Sequence, residues 1–118
     1  MLALLTAEIP TDLREIEEEL FRVRGEIEIR ELYFSRLASA RAAHERIDEE
    51  GGEQTNIDWL RHNCRMTQQA AADRVRVGDK LDAMPVSEDA FYNGAIGFQH
   101  LVVMARTAAW SSTASSTP

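Results

Sequence analysis

Residues 12–37 read DLREIEEELFRVRGEIEIRELYFSRL, and their spacing decides the fold class. Leu13, Ile16, Leu20, Val23 and Ile27 recur at alternating steps of three and four, and Phe34 and Leu37 resume the series after Arg30 interrupts it. Those steps put all seven on one face of a helix, close to the heptad period of a coiled-coil seam. Asp12 and Glu15 have capping-box spacing, just after the punctuation of Pro10 and Thr11. Gly51-Gly52 supplies a stop, because glycine tolerates the left-handed backbone that ends helices. The expectation is one helix over about 12–50, roughly 55 Å long at 1.5 Å per residue.

Phe21, Gly25, Ile29 and Leu32 form a second stripe on the same helix. Gly25 there weakens the helix by about 1 kcal/mol and reads as a place where a neighbour comes close. Glu18, Arg22, Glu26 and Arg30 alternate at steps of four, a ladder of ion pairs on a solvated face.

Beyond the glycines the pattern shortens. Thr55 or Asn56 is a candidate cap for a short helix through Asn63 that buries Ile57, Trp59 and Leu60. Thr67 caps the next, to about Ala83, with Ala70, Val77, Leu81 and Met84 inward and Pro85 ending it. Ser87 opens a brief helix through Tyr92, closed by Asn93-Gly94, and a last helix runs from Phe98 to about Trp110 with Leu101, Val102, Met104 and Ala105. No segment alternates as a strand does. The fold class is all-α: one long N-terminal helix followed by a bundle of four shorter helices, a single domain over 1–110. The Ser/Thr-rich residues 111–118 read as a disordered tail.

Composition fits this reading. The 118 residues are 44% hydrophobic, 28% charged and only 7% aromatic, a balance that suits one domain of packed helices. A net charge of −7 argues against a surface that coats nucleic acid indiscriminately. Cys64 is the single cysteine, so no intramolecular disulfide forms and a reducing compartment is expected. Met1 to Leu5 is apolar but short, with Glu8 and Pro10 close behind, and does not read as a signal peptide. No run has the length of a membrane span. The expected location is cytoplasmic.

Catalytic chemistry finds no purchase in the pattern. His44, His62 and His100 are far apart and share no ligand spacing with each other or with Cys64, so no metal site is expected. Gly94-Ala95-Ile96-Gly97 is too short for a phosphate loop and lacks a preceding strand. Ser, His and Asp occur without the strand–turn–helix setting of a nucleophile. The chain reads as non-catalytic, without cofactor or small-molecule ligand.

From Trp59 onward the residues carry a family likeness. Trp59-Leu60, Cys64-Arg65-Met66-Thr67, Ala70, Arg74-Val75-Arg76-Val77 and Leu81 are followed in order by Met84-Pro85, Gly94-Ala95-Ile96 and His100. With the long charged helix before it, this block resembles the 13E12-repeat family, also called domain of unknown function 222, over about 12–109. Many members of that family carry a C-terminal HNH nuclease domain, so the resemblance implies a helical N-terminal module of an HNH-associated protein. An HNH site needs a metal held in a hairpin-plus-helix unit, and His62-Asn63 is not that site. Longer members continue with more helices where this sequence passes into Ser and Thr. A truncated member is thus one expectation and a short stand-alone member the other, and truncation would leave apolar faces exposed.

Two functions follow from different classes, DNA association first and self-association as the alternative. Between Asn56 and Met84, Arg61, Arg65, Arg74, Arg76 and Lys80 outnumber Asp58, Asp73, Asp79 and Asp82 by five to four. The stretch Met66 to Val75 resembles the first helix of a helix-turn-helix, although Arg76 stands where a tight-turn glycine belongs. Those five cations are the candidate nucleic-acid contacts, with DNA as the partner, and Arg76 and Lys80 share a face. Asp73 and Asp79 lie near enough to neutralise them. The other function is self-association. A seam of Leu13, Ile16, Leu20, Val23, Ile27, Phe34 and Leu37 is longer than short helices cover, and pairing it with a second copy makes a homodimer. Arg30 would then need an acidic partner such as Glu26 or Glu31.

Overall fold

The computed structural model describes residues 8–44 and 52–115, with side chains through residue 107. Helix α1 spans Leu13–His44, α2 Gly52–Asn63, α3 Gln68–Lys80, α4 Pro85–Tyr92 and α5 Phe98–Ser115. A 3-10 turn, Leu81–Ala83, links α3 to α4, and no strand occurs among the described residues. The fold is all-α with one long helix leading four shorter ones. The backbone N–H of Glu15 donates to Asp12 Oδ2 at 3.2 Å, which fixes the start of α1 at the expected cap. The stretch 45–51, where the sequence places the end of this helix and the first stop glycine, lies outside the described residues.

Helix α3 is the centre of the bundle and packs against α1, α2 and α5. On one side Val77 joins Leu32 of α1, Leu81, Met84, Phe91 of α4, and Phe98, Leu101, Val102 and Ala105 of α5. On the other, Ala71, Ala72 and Val75 join Ala38, Ile57 and Leu60, with Phe34 and Met66 packed against them. Each large apolar side chain removed from water contributes about 1.5–3 kcal/mol. A helix apolar on two sides must be central, and the small residues Ala71 and Ala72 let α2 and α1 approach it.

Several boundaries differ from the sequence expectation. Helix α2 starts at Gly52, and Asn56 is fully buried within it instead of capping it. Asn56 Nδ2 donates to Ala38 O at 3.2 Å, and Oδ1 accepts from Arg41 Nη1 at 3.1 Å, so a tertiary bond has claimed the amide. Thr67 does cap α3, its hydroxyl accepting from Ala70 N at 3.1 Å. The α-helix ends at Lys80, with Leu81–Ala83 continuing as the 3-10 turn, and Pro85 begins α4 because a missing N–H costs nothing in a first turn. Gly94 closes α4 at φ +85°, helped by Asn93 Oδ1, which accepts from Ala95 N at 3.1 Å. Helix α5 runs on through Ser115, so 111–115 extend it where a disordered tail was expected; 116–118 lie outside the described residues. Serine and threonine are only modestly weaker helix formers than their neighbours, and Ala108, Ala109 and Ala114 favour the helix.

The close approach of helices is at Gly78, not Gly25. A Cβ on Gly78 would stand 2.1 Å from the carbonyl oxygen of Ser35, whereas one on Gly25 would meet nothing within 4 Å. Among the described residues, nothing packs against α1 at Gly25. All of α1's buried residues, Leu32, Ser35 and Ala38, belong to its C-terminal half.

Candidate functional site

The uncovered half of α1 exposes much of what the sequence marked as its seam. Leu13 is 69% exposed, Leu20 62%, Ile27 42% and Leu37 50%, while Ile16, Val23 and Phe34 are half-buried. Phe21 and Ile29, from the second stripe, are also exposed; only its Leu32 is buried. Four of the seven seam residues, spread from Leu13 to Leu37, are therefore exposed, while Phe34 packs partly against the core. Leu13, Leu20, Ile27 and Leu37 thus stand in heptad order as exposed apolar groups on one surface.

Charged residues pair along α1 beside the seam. Arg22 pairs with Glu19, and its Nη1 donates to Glu26 Oε1 at 2.8 Å. Hydrogen bonding to Arg22 holds the Glu19 carboxyl below the usual carboxylate range and raises the Arg22 guanidinium in turn. Glu18 turns to Arg14 at 3.6 Å instead of Arg22, and Arg24 meets Glu28 at 2.6 Å. Only the Arg22–Glu26 rung of the anticipated ladder is made as expected, because i,i+3 partners compete with i,i+4 ones.

Grooves flank α1 on either side of its uncovered part. One, about 410 Å³, lies beside the seam between Ile27, Arg30, Glu31 and Phe34 on α1 and Cys64 and Met66 in the α2–α3 turn. The other, about 450 Å³, lies over Phe21, Gly25 and Ile29 and is closed by Tyr92 and the Gly94–Gly97 turn. At its floor Glu28 accepts from the backbone N–H of Phe98 and so caps the first turn of α5. Gly97 N donates to His100 Nδ1 at 2.9 Å, which ties His100 to the same turn. Glu28 was not singled out in the sequence; its contact spans seventy positions and has no local signature.

The five candidate DNA contacts differ in exposure and in the partners they meet. Arg74 Nε donates to Glu31 Oε2 at 3.0 Å and Nη1 to Ala70 O at 3.3 Å, and the guanidinium lies 5.2 Å from the Phe98 ring centroid. Its side chain is only 15% exposed. Arg74 cross-links α1, α3 and α5. Arg76 faces Glu53 at 3.6 Å and Arg61 faces Asp58 at 3.4 Å. Asp73, expected to neutralise Arg76, is buried and instead accepts from Arg106 Nη2 and Gln69 Nε2, each at 2.8 Å. Asp79 accepts from Ser39 Oγ at 2.7 Å. Lys80 sits half-buried at the end of α3. Arg65 is exposed and adopts φ 55° in the α2–α3 turn, where Met66 N reaches Arg61 O at 3.3 Å.

Trp59 departs from expectation in another way. It is 39% exposed, its ring covered by the Arg41 guanidinium at 4.0 Å. Cys64 is exposed on the groove wall. Among the described residues no three His, Cys, Asp or Glu side chains gather where they could hold a metal ion, and no helix is long and apolar enough to cross a membrane. Compared with known families, curated proteins and solved structures, the chain matches none.

Proposed function

We propose that this chain is a non-catalytic helical assembly module that associates with a second copy of itself through the seam of α1. The observation that carries the reading is the open heptad series from Leu13 to Leu37, four of whose members are exposed large hydrophobics. None of the described helices lies along it, and pairing two such faces removes both from water. Sedimentation equilibrium tests the reading. The wild-type chain gives twice its 13.3 kDa mass as concentration rises, and Ile27→Asp gives a monomer with unchanged helical circular dichroism. A wild-type mass that stays at one chain at every concentration overturns it.

The resemblance to the 13E12-repeat family supports placing the module in an HNH-associated protein. DNA contact is the second reading, favoured by the exposed Arg65 beside Arg61. It is weakened by the carboxylates already facing Arg61, Arg74 and Arg76. Fluorescence anisotropy with duplex DNA at several salt concentrations separates the two. Binding that falls steeply with salt and is lost in Arg61→Ala with Arg65→Ala supports DNA contact, and no binding at low salt removes it.

A further inference from the structure

We infer that the second copy docks antiparallel, the N-terminal half of its α1 lying along the groove beside Ile27, Arg30 and Phe34. This rests on the self-association reading and adds its orientation and register. The register sets Val23 opposite Ile27, Leu20 opposite Arg30, Ile16 opposite Phe34 and Leu13 opposite Leu37 of the second copy. Each layer joins the first heptad position of one helix to the fourth of the other, as antiparallel coiled coils require.

Arg30 decides against the parallel pair. It occupies a seam position, so parallel in-register helices would put two guanidiniums in one layer, drawn out of water together without a counter-charge between them. In the antiparallel register Arg30 meets Leu20 of the second copy, beside the acidic run Glu17-Glu18-Glu19 of that helix. A single charged seam residue is the sort of feature that fixes orientation in a coiled coil.

The charge along α1 agrees. Residues 12–19 carry Asp12, Glu15, Glu17, Glu18 and Glu19 against Arg14 alone. Residues 32–44 carry Arg36 and Arg41 and no carboxylate. A parallel pair sets the acidic ends side by side, whereas the antiparallel register lays residues 12–18 over residues 32–38 of the other copy, which carry Arg36 and no carboxylate.

The groove supplies the seat. Ile27, Phe34 and Met66 give it apolar walls, Arg30 bounds it on α1, and Glu31 at its edge is already joined to Arg74. An amphipathic, acidic helix is the occupant that this combination fits, and residues 13–23 of a second copy are one. Each projecting half then lies beside the bundle of the other copy, and the two bundles sit at opposite ends of the pair.

The test is a distance between copies. Arg14→Cys in a Cys64→Ser background, the second a near-isosteric change on the groove wall whose dimerisation is first matched to wild type by sedimentation, carries one nitroxide per chain. Pulsed dipolar spectroscopy is recorded at a concentration where sedimentation shows dimers. Antiparallel docking puts residue 14 level with residue 36 of the second copy, so the two labels stand about 33 Å apart along the axis. Mixing this chain with one labelled at Arg36→Cys then adds a short distance, under about 20 Å given the 8–10 Å between packed helices. A dimer whose residue-14 labels lie within that short range is parallel, which overturns the orientation and keeps self-association. A chain that stays monomeric overturns both.

Discussion

Replacing Gly78 by alanine should loosen the contact between α1 and α3, and the structure fixes both the sign and the scale. In an exposed helix interior, glycine to alanine stabilises by about 1 kcal/mol through backbone entropy. At Gly78 the new Cβ would lie 2.1 Å from Ser35 O and 2.9 Å from Ser35 C, both backbone atoms of a hydrogen-bonded helix. No side-chain rotation relieves that overlap, so the helices must part by about 1 Å in an interior packed to crystal density. Overpacking of this kind costs about 3 kcal/mol. After the propensity gain, about 2 kcal/mol of net destabilisation remains. Gly25→Ala is the matched control, since its Cβ meets nothing within 4 Å, and it should stabilise by up to about 1 kcal/mol. Urea unfolding followed by circular dichroism at 222 nm reads both. A Gly78→Ala midpoint equal to or above wild type would refute the close approach, and with it the placement of α3 against α1.

Asn56→Ala strands Ala38 O and Arg41 at a fully buried site and should cost about 2–3 kcal/mol, read as a lowered thermal midpoint. Ser35 Oγ is buried without a hydrogen-bond partner among the described residues, so Ser35→Ala should leave stability unchanged or raise it by about 1 kcal/mol; a loss comparable to Asn56→Ala would show a missing bond. Arg106→Met removes the counter-charge of the buried Asp73, and a loss of about 2 kcal/mol in urea unfolding is expected, tempered by the half-exposed guanidinium. Because Arg22 lowers the Glu19 carboxyl, its small contribution is present above the ordinary carboxylate pKa and is lost as pH falls through the lowered one. Carbon-13 NMR titration should show the Glu19 midpoint rise in Arg22→Ala, and an unmoved midpoint would contradict the pairing.

The local parts of the design were legible in the residues. Three-and-four spacing set α1, and short-range oxygens at Asp12 and Thr67 set two helix starts, because caps and periodicity act within one turn. The apolar series from Leu13 to Leu37 was visible as a helical stripe. Tertiary structure decided what those faces meet. Gly25 and Gly78 look alike as helix glycines, and only the position of Ser35 tells which of them admits a neighbour. Asn56 looked like a cap until Ala38 O and Arg41 claimed its amide. Arg74 looked like a phosphate ligand, but Glu31, forty-three positions away, took its charge into the bundle. Capping and periodicity are properties of neighbours in sequence. Which glycine is crowded, which cation is neutralised and which stripe stays open depend on groups that meet only when the helices pack, and no local pattern encodes them.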